Sequence, residues 1–139
     1  MRLKPVIDRL REQVPTLRIV GGGVDLAKLT TTPATPAAYV VPLRDNPQPN
    51  RGVNAVIQTV EHRFGVLLVV RDVSKAQGEA AHDDALDELR QSVFAALLGW
   101  QHPDADGVLA YAGGGLQAFD GGVLYWAEEF TVDSQLRAT

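Results

Sequence analysis

The seven residues Phe64-Gly-Val-Leu-Leu-Val-Val70 carry no polar side chain. A run this short and this apolar reads as a strand covered on both faces, because a half-buried strand alternates polar with apolar residues. The residues ahead of it do alternate in part: Val56, Gln58 and Val60 interleave with Ile57, Thr59 and Glu61. Taken whole, the strand-like stretch from Val53 to Asp72 exceeds the usual length of one straight strand. A hairpin or bulge is therefore expected between His62 and Gly65, with Gly65 as the hinge.

Two stretches have helical period. Leu3, Val6, Ile7, Leu10 and Val14 recur on one face of a short N-terminal helix that Pro15 ends. Leu86, Leu89, Val93, Ala96, Leu97 and Trp100 form the stripe of the main packing helix, opposite Asp84, Asp87, Glu88 and Gln91. Glu79, Asp83 and Asp84 suit the positive end of its dipole, and Gly99 with Pro103 supplies its stop.

The remaining pattern is β and turn. Leu17 to Val20 reads as a strand closed by a turn at Gly21-Gly22-Gly23, and residues 30 to 36 form an extended Thr/Pro loop. Tyr39-Val40-Val41 is a strand that Pro42 confines to an edge or an end, followed by a second loop from Asp45 to Gly52. Val108 to Tyr111, Leu116 to Phe119 and Val123 to Val132 are three more strand-like runs, separated by Gly113-Gly-Gly115 and Asp120-Gly-Gly122. The order predicts one α+β domain over residues 1–139, a mostly antiparallel or mixed sheet with two principal helices packed on it.

Composition narrows the chemistry. The chain has 139 residues and no cysteine, which removes disulfides, thiolate nucleophiles and Cys-based zinc sites. A net charge of −4 without a cationic cluster argues against specific nucleic-acid binding. No apolar run is long enough for a bilayer, and the N-terminus opens an amphipathic helix rather than a signal peptide, so a cytoplasmic fold is expected.

No catalytic, cofactor or metal signature emerges. The glycine triplets lack the Lys-Ser/Thr or dinucleotide-binding spacing of phosphate cradles. His62, His82 and His102 lack the two-His spacing of a zinc helix. His102-Pro-Asp104-Ala-Asp106 gathers three potential donors, and a solvated loop leaving the helix is the preferred reading. His82-Asp83-Asp84 reads as an ordinary acidic helix start, and Ser74, Ser92 and Ser134 have no nucleophile-elbow setting.

Glu128 stands out. Leu124, Trp126, Glu128, Phe130 and Val132 share one face of the last strand, which places a carboxylate in an apolar row. Either that face is partly exposed, or Glu128 meets a cation such as an arginine of its own or a neighbouring subunit. Its neighbours Tyr125 and Trp126 send one aromatic to each side of the sheet. The second face is then either a partly covered surface or a contact with another subunit.

Several stretches together resemble the phage tail terminator, or tail completion, family. They are the first helix through Val14, Tyr39-Val-Val-Pro-Leu-Arg44, the strand Val60 to Val70, Val93-Phe-Ala-Ala-Leu-Leu-Gly-Trp100, Leu109 to Gly115, and Gly122 to Val132. The resemblance covers almost the whole chain. It implies a structural protein and not an enzyme, found in the virion tail after assembly in the host cytoplasm. The family's proteins end tube growth as a ring, commonly of six subunits. The implied partners are further copies of the chain, the tail tube protein and a head-completion or connector protein, with no cofactor and no membrane. On this reading Arg44, Asp45, Arg51, Tyr125 and Glu128 are the candidate subunit or tube interface. The other readings are a different head-tail joining adaptor, or a small hydrolase or isomerase with a pocket beside Glu128 and His102.

Overall fold

The computed structural model describes residues 1–71 and 79–139, without side chains for 79–83. Asp72 and Ser74, and the side chains of Glu79, His82 and Asp83, lie outside the described residues. The elements run α1 (Lys4–Gln13), β1 (Ile19–Gly22), α2 (Gly23–Ala27), β2 (Ala37–Pro47), β3 (Val56–Arg71), α3 (Glu79–Leu97), β4 (Ala110–Asp120) and β5 (Val123–Ala138). One five-stranded sheet has the order β1-β2-β3-β5-β4. Among the described residues only β1 and β2 pair parallel; the other ladders are antiparallel. The fold is α+β, with a mixed sheet. Among the described residues no helix is long and apolar enough to cross a membrane.

The expected hairpin inside residues 53–72 is absent. β3 is one continuous strand, paired with β5 from Val56↔Ala138 to Arg71↔Val123. The irregularity sits on its other neighbour: the β2–β3 register shifts between Pro42 and Arg44, so Leu43 is the extra residue. Pro42 has no N–H for the ladder, and a bulge there lets β2 continue to Pro47. The second loop accordingly moves along the chain to residues 48–55.

Two glycine triplets also depart from expectation. Gly21 and Gly22 are paired strand residues opposite Tyr39 and Val40, and Gly23 opens α2. The Gly22 N–H donates to the Asp25 carboxylate at 2.8 Å, which folds back over Gly21. Gly113 to Gly115 lie inside β4, so the two expected strands on either side are one, with register shifts at Tyr111/Gly113 and Leu116/Ala118. Asp120-Gly-Gly122 is the true turn: Gly121 and Gly122 have φ of +58° and +80°, as a two-residue hairpin of the I′ type requires.

α1 and α3 cover one face of the sheet. Val6 and Leu10 of α1, Val14 just after it, and Leu89, Val93, Ala96 and Leu97 of α3 pack on Val40, Phe64, Val66, Leu68, Phe130 and Val132. Phe64 and Phe130, partners across the central ladder, stack at 5.7 Å. The helices are tied together at the C-terminus of α3, where Arg9 Nε donates to the Ala96 carbonyl at 2.6 Å. That carbonyl has no partner within its own helix, so a cation there satisfies both hydrogen bonding and the dipole. Gly99, at φ +76°, ends the helix as expected. The opposite face carries a smaller cluster of Ala37, Tyr39, Val69 and Val123, with Leu26 of α2, Leu67 and Tyr125 packed on it.

Candidate functional site

Strict alternation along β5 puts Glu128 under α3, and its side chain is 0% exposed. The cation it meets is Arg90 of the same chain, whose Nε donates to Oε2 at 2.9 Å. Oε1 accepts from Trp126 Nε1 at 2.6 Å and from the Tyr111 hydroxyl at 3.2 Å. Arg90 Nη2 also donates to the Tyr111 hydroxyl, at 3.2 Å, and the guanidinium lies 4.7 Å from the Trp126 ring centre. Each charge is thus neutralised and each carboxylate oxygen accepts a bond, the condition under which a buried ion pair is tolerated. Burial alone would lower the Arg90 pKa, but the bond to Glu128 and its charge outweigh that and raise it. Tyr111 is raised too, by burial and then by the Glu128 charge, which holds it as a neutral donor.

His102 is the other fully buried polar side chain of the described residues, where a solvated loop was the expected setting. Its Nδ1 accepts the Asp104 N–H at 2.9 Å, which leaves Nε2 to donate to the Arg2 carbonyl at 2.7 Å. Asp104 in turn accepts from Arg2 Nε at 2.9 Å, Nη2 at 2.8 Å and the backbone N–H at 3.1 Å. Those bonds hold the Asp104 carboxyl well below the usual range. Asp106 accepts the Gln135 N–H at 2.6 Å. His102 and Asp104 are therefore both taken up by Arg2 and Asp106 by Gln135, and together they clasp the N-terminus and β5 to the end of α3. Among the described residues no three His, Asp or Glu side chains gather as a metal ion would need.

A catalytic use of Glu128 and His102 requires substrate access, and neither side chain has any accessible surface. Ser92 and Ser134 are likewise used within the fold, donating to the carbonyls of Glu88 and Asp104.

Among the described residues, the side of the sheet away from α1 and α3 is covered only at one corner, by α2. Val41, Leu43, Leu67, Ala127 and Glu129 line a groove of about 500 Å³ there. Arg44 and Arg63 face each other across the β2–β3 ladder on this side. Arg63 reaches Glu61 and Glu129 at 3.9 and 3.8 Å, and its buried Nε has no partner among the described residues.

The model of the phage tail terminator protein family matches residues 1–139, the whole chain. The chain belongs to the phage tail terminator family. Membership gives the chain a structural, virion-associated role in a phage tail. Among solved structures it is similar to a chain of the "Virion of native gene transfer agent (GTA) particle", with 15% identity, a TM-score of 0.47, and 94% of this chain and 92% of that one covered. Comparison with curated proteins finds no match.

The five sequence candidates of the terminator-family protein do not form one patch. Arg44 and Tyr125 lie on the open side, and Arg51 reaches toward it through the Gln135 side chain at 3.5 Å. Asp45 turns the other way and pairs with His62 at 2.7 Å. Glu128 is enclosed beneath α3 and reaches no neighbour directly. Arg90, Tyr111 and Gly114, which complete the terminator-family protein's buried network, have no signal in their own sequence neighbourhoods.

Proposed function

We propose that the protein caps the end of a phage or prophage tail tube as a ring of its own copies, six by the family resemblance. The ring stops tube polymerisation and presents its far face to head-completion or connector proteins, after assembly in the host cytoplasm. Family membership over the whole chain carries this reading. The geometry supports it: the buried carboxylate and imidazole are spent on internal bonds, while an apolar groove and the cations Arg44 and Arg51 remain on the surface.

A head-to-tail contact that closes on itself makes a ring with two unlike faces, one able to match the tube and the other not. Arg44, Asp45, Arg51 and Tyr125 are the proposed contacts with neighbouring copies or the tube. Glu128 acts behind them by fixing the β4–β5 edge to α3. The test is deletion of the gene in the phage or prophage, with tail lengths measured by negative-stain electron microscopy. Overlong or uncapped tails restored by the wild-type protein support termination; normal-length tails that still join heads overturn it.

A further inference from the structure

The two longest strands pair along their whole length, and their ends differ sharply in character. Sixteen strand residues in β3, at about 3.4 Å each, extend over roughly 50 Å. At one end the loop between β2 and β3 and the C-terminal end of β5 form a tip. It exposes Val53 (87%) and Leu136 (52%) beside the exposed cations Arg51 and Arg137. Val53 has the largest exposed fraction of the bulky apolar side chains among the described residues.

Some ten residues along the same strands, about 33 Å away by strand geometry, a groove of about 470 Å³ opens beside α3. Asp84 and Asp87 form its rim, and Arg90 and Trp126 line it. Leu116, 56% exposed, is the register partner of Trp126 on the same side. Arg90 is committed to Glu128, so the groove presents its acidic rim and its apolar floor. Tip and groove are complementary in both respects, apolar to apolar and basic to acidic. The rigid paired strands between them prevent them from meeting within one chain.

We infer that the Arg51–Val53 tip of one copy docks into the Asp84–Asp87–Trp126 groove of the next copy. The inference rests on the ring reading above and specifies its contact. A surface that meets a different surface of an identical chain gives a heterologous interface, the kind that generates rings. Opposed charges at its edge would fix register and disfavour wrong pairings.

The chain has no cysteine, which makes the test direct. Tails are assembled with a Val53→Cys/Leu116→Cys chain, oxidised, and run on denaturing gels without reductant, beside the two single variants. Docking gives a ladder of cross-linked multimers from the double variant and nothing beyond dimers from the singles. Capped tails of normal length without the ladder overturn the interface while leaving termination standing. A second pair keeps the inference falsifiable should the cysteines impair capping. Arg51→Asp and Asp87→Arg should each give overlong tails, and the two combined should restore normal length. Normal lengths in each single variant, or no restoration in the pair, overturn the inference. Gene deletion with no effect on tail length instead removes the terminator reading itself.

Discussion

The Glu128 carboxylate lies over the backbone of Gly114, its register partner across the β4–β5 ladder. A β-carbon on Gly114 would run into Glu128 Oε1, the Tyr111 hydroxyl and the Ala127 carbonyl together. The glycine is thus part of the buried ion-pair site, contributing space. Replacing a strand glycine with alanine ordinarily stabilises by about 0.5–1 kcal/mol. Gly114→Ala should do the reverse, costing about 2 kcal/mol through overpacking. Urea denaturation followed by far-UV circular dichroism checks the sign; a midpoint at or above wild type would show that the carboxylate does not occupy that space.

This arrangement also explains which parts of the site the sequence reveals. Glu128 is legible because β5 holds a strict two-residue period, so a lone acid among Trp126, Phe130 and Val132 must be accounted for. Its partner is not legible: Arg90 is 38 residues away on α3, in a helix whose pattern announces only packing. The β4 glycines mislead because the space at Gly114 is set by a side chain on another strand. Three glycines in sequence look like a turn, and here the middle one clears the way for a carboxylate and a phenol. The bulge expected on β3 falls on β2 for a similar reason, since register is a property of the pair and Pro42 is the member unable to donate. Helix periods, the Gly-Gly hairpin and the α+β class depend on local residues alone, and these follow from the sequence.

Removing one member of the buried pair should be costly. Arg90→Met leaves the Glu128 carboxyl group enclosed and short of its cation, at a cost of about 3 kcal/mol. Glu128→Gln leaves a guanidinium that retains partial solvent access, 25% for its side chain, and should cost less. Equilibrium unfolding of the two variants gives the order directly. Tryptophan emission should also change in Arg90→Met, because the guanidinium leaves the Trp126 ring. Equal costs, or a larger cost for Glu128→Gln, would contradict the burial of the carboxylate.

The N-terminal clasp predicts a pH dependence. Arg2 holds the Asp104 carboxyl below its ordinary value, so the folded state binds that proton less readily than the unfolded chain. Stability from the pair is therefore fully present above the unfolded carboxyl pKa, about 4. It is lost as pH falls through the lower folded value. Asp104→Asn should have a lower melting temperature than wild type at pH 6 and a shallower decline between pH 4.5 and 2.5. Added salt should narrow the gap at pH 6, because the Arg2 side chain is 70% exposed. Parallel acid limbs in the two proteins would show that the pair is not formed in solution.

His102 tests whether the same loop is a structural clasp or a surface segment. Its ring nitrogens satisfy the Arg2 carbonyl and the Asp104 N–H at once, and the ring packs 5.5 Å from that of Trp100. His102→Leu keeps an apolar side chain of similar volume and strands both backbone groups. With an unmet buried group costing about 1–3 kcal/mol, the loss should be about 2 kcal/mol or more. A surface histidine would change stability by less than about 0.5 kcal/mol. Hydrogen exchange separates the two cases further: the Asp104 amide should lose protection in the variant, while the amides of the central β3–β5 ladder keep theirs. A variant that unfolds as wild type and protects the Asp104 amide would place His102 outside the clasp.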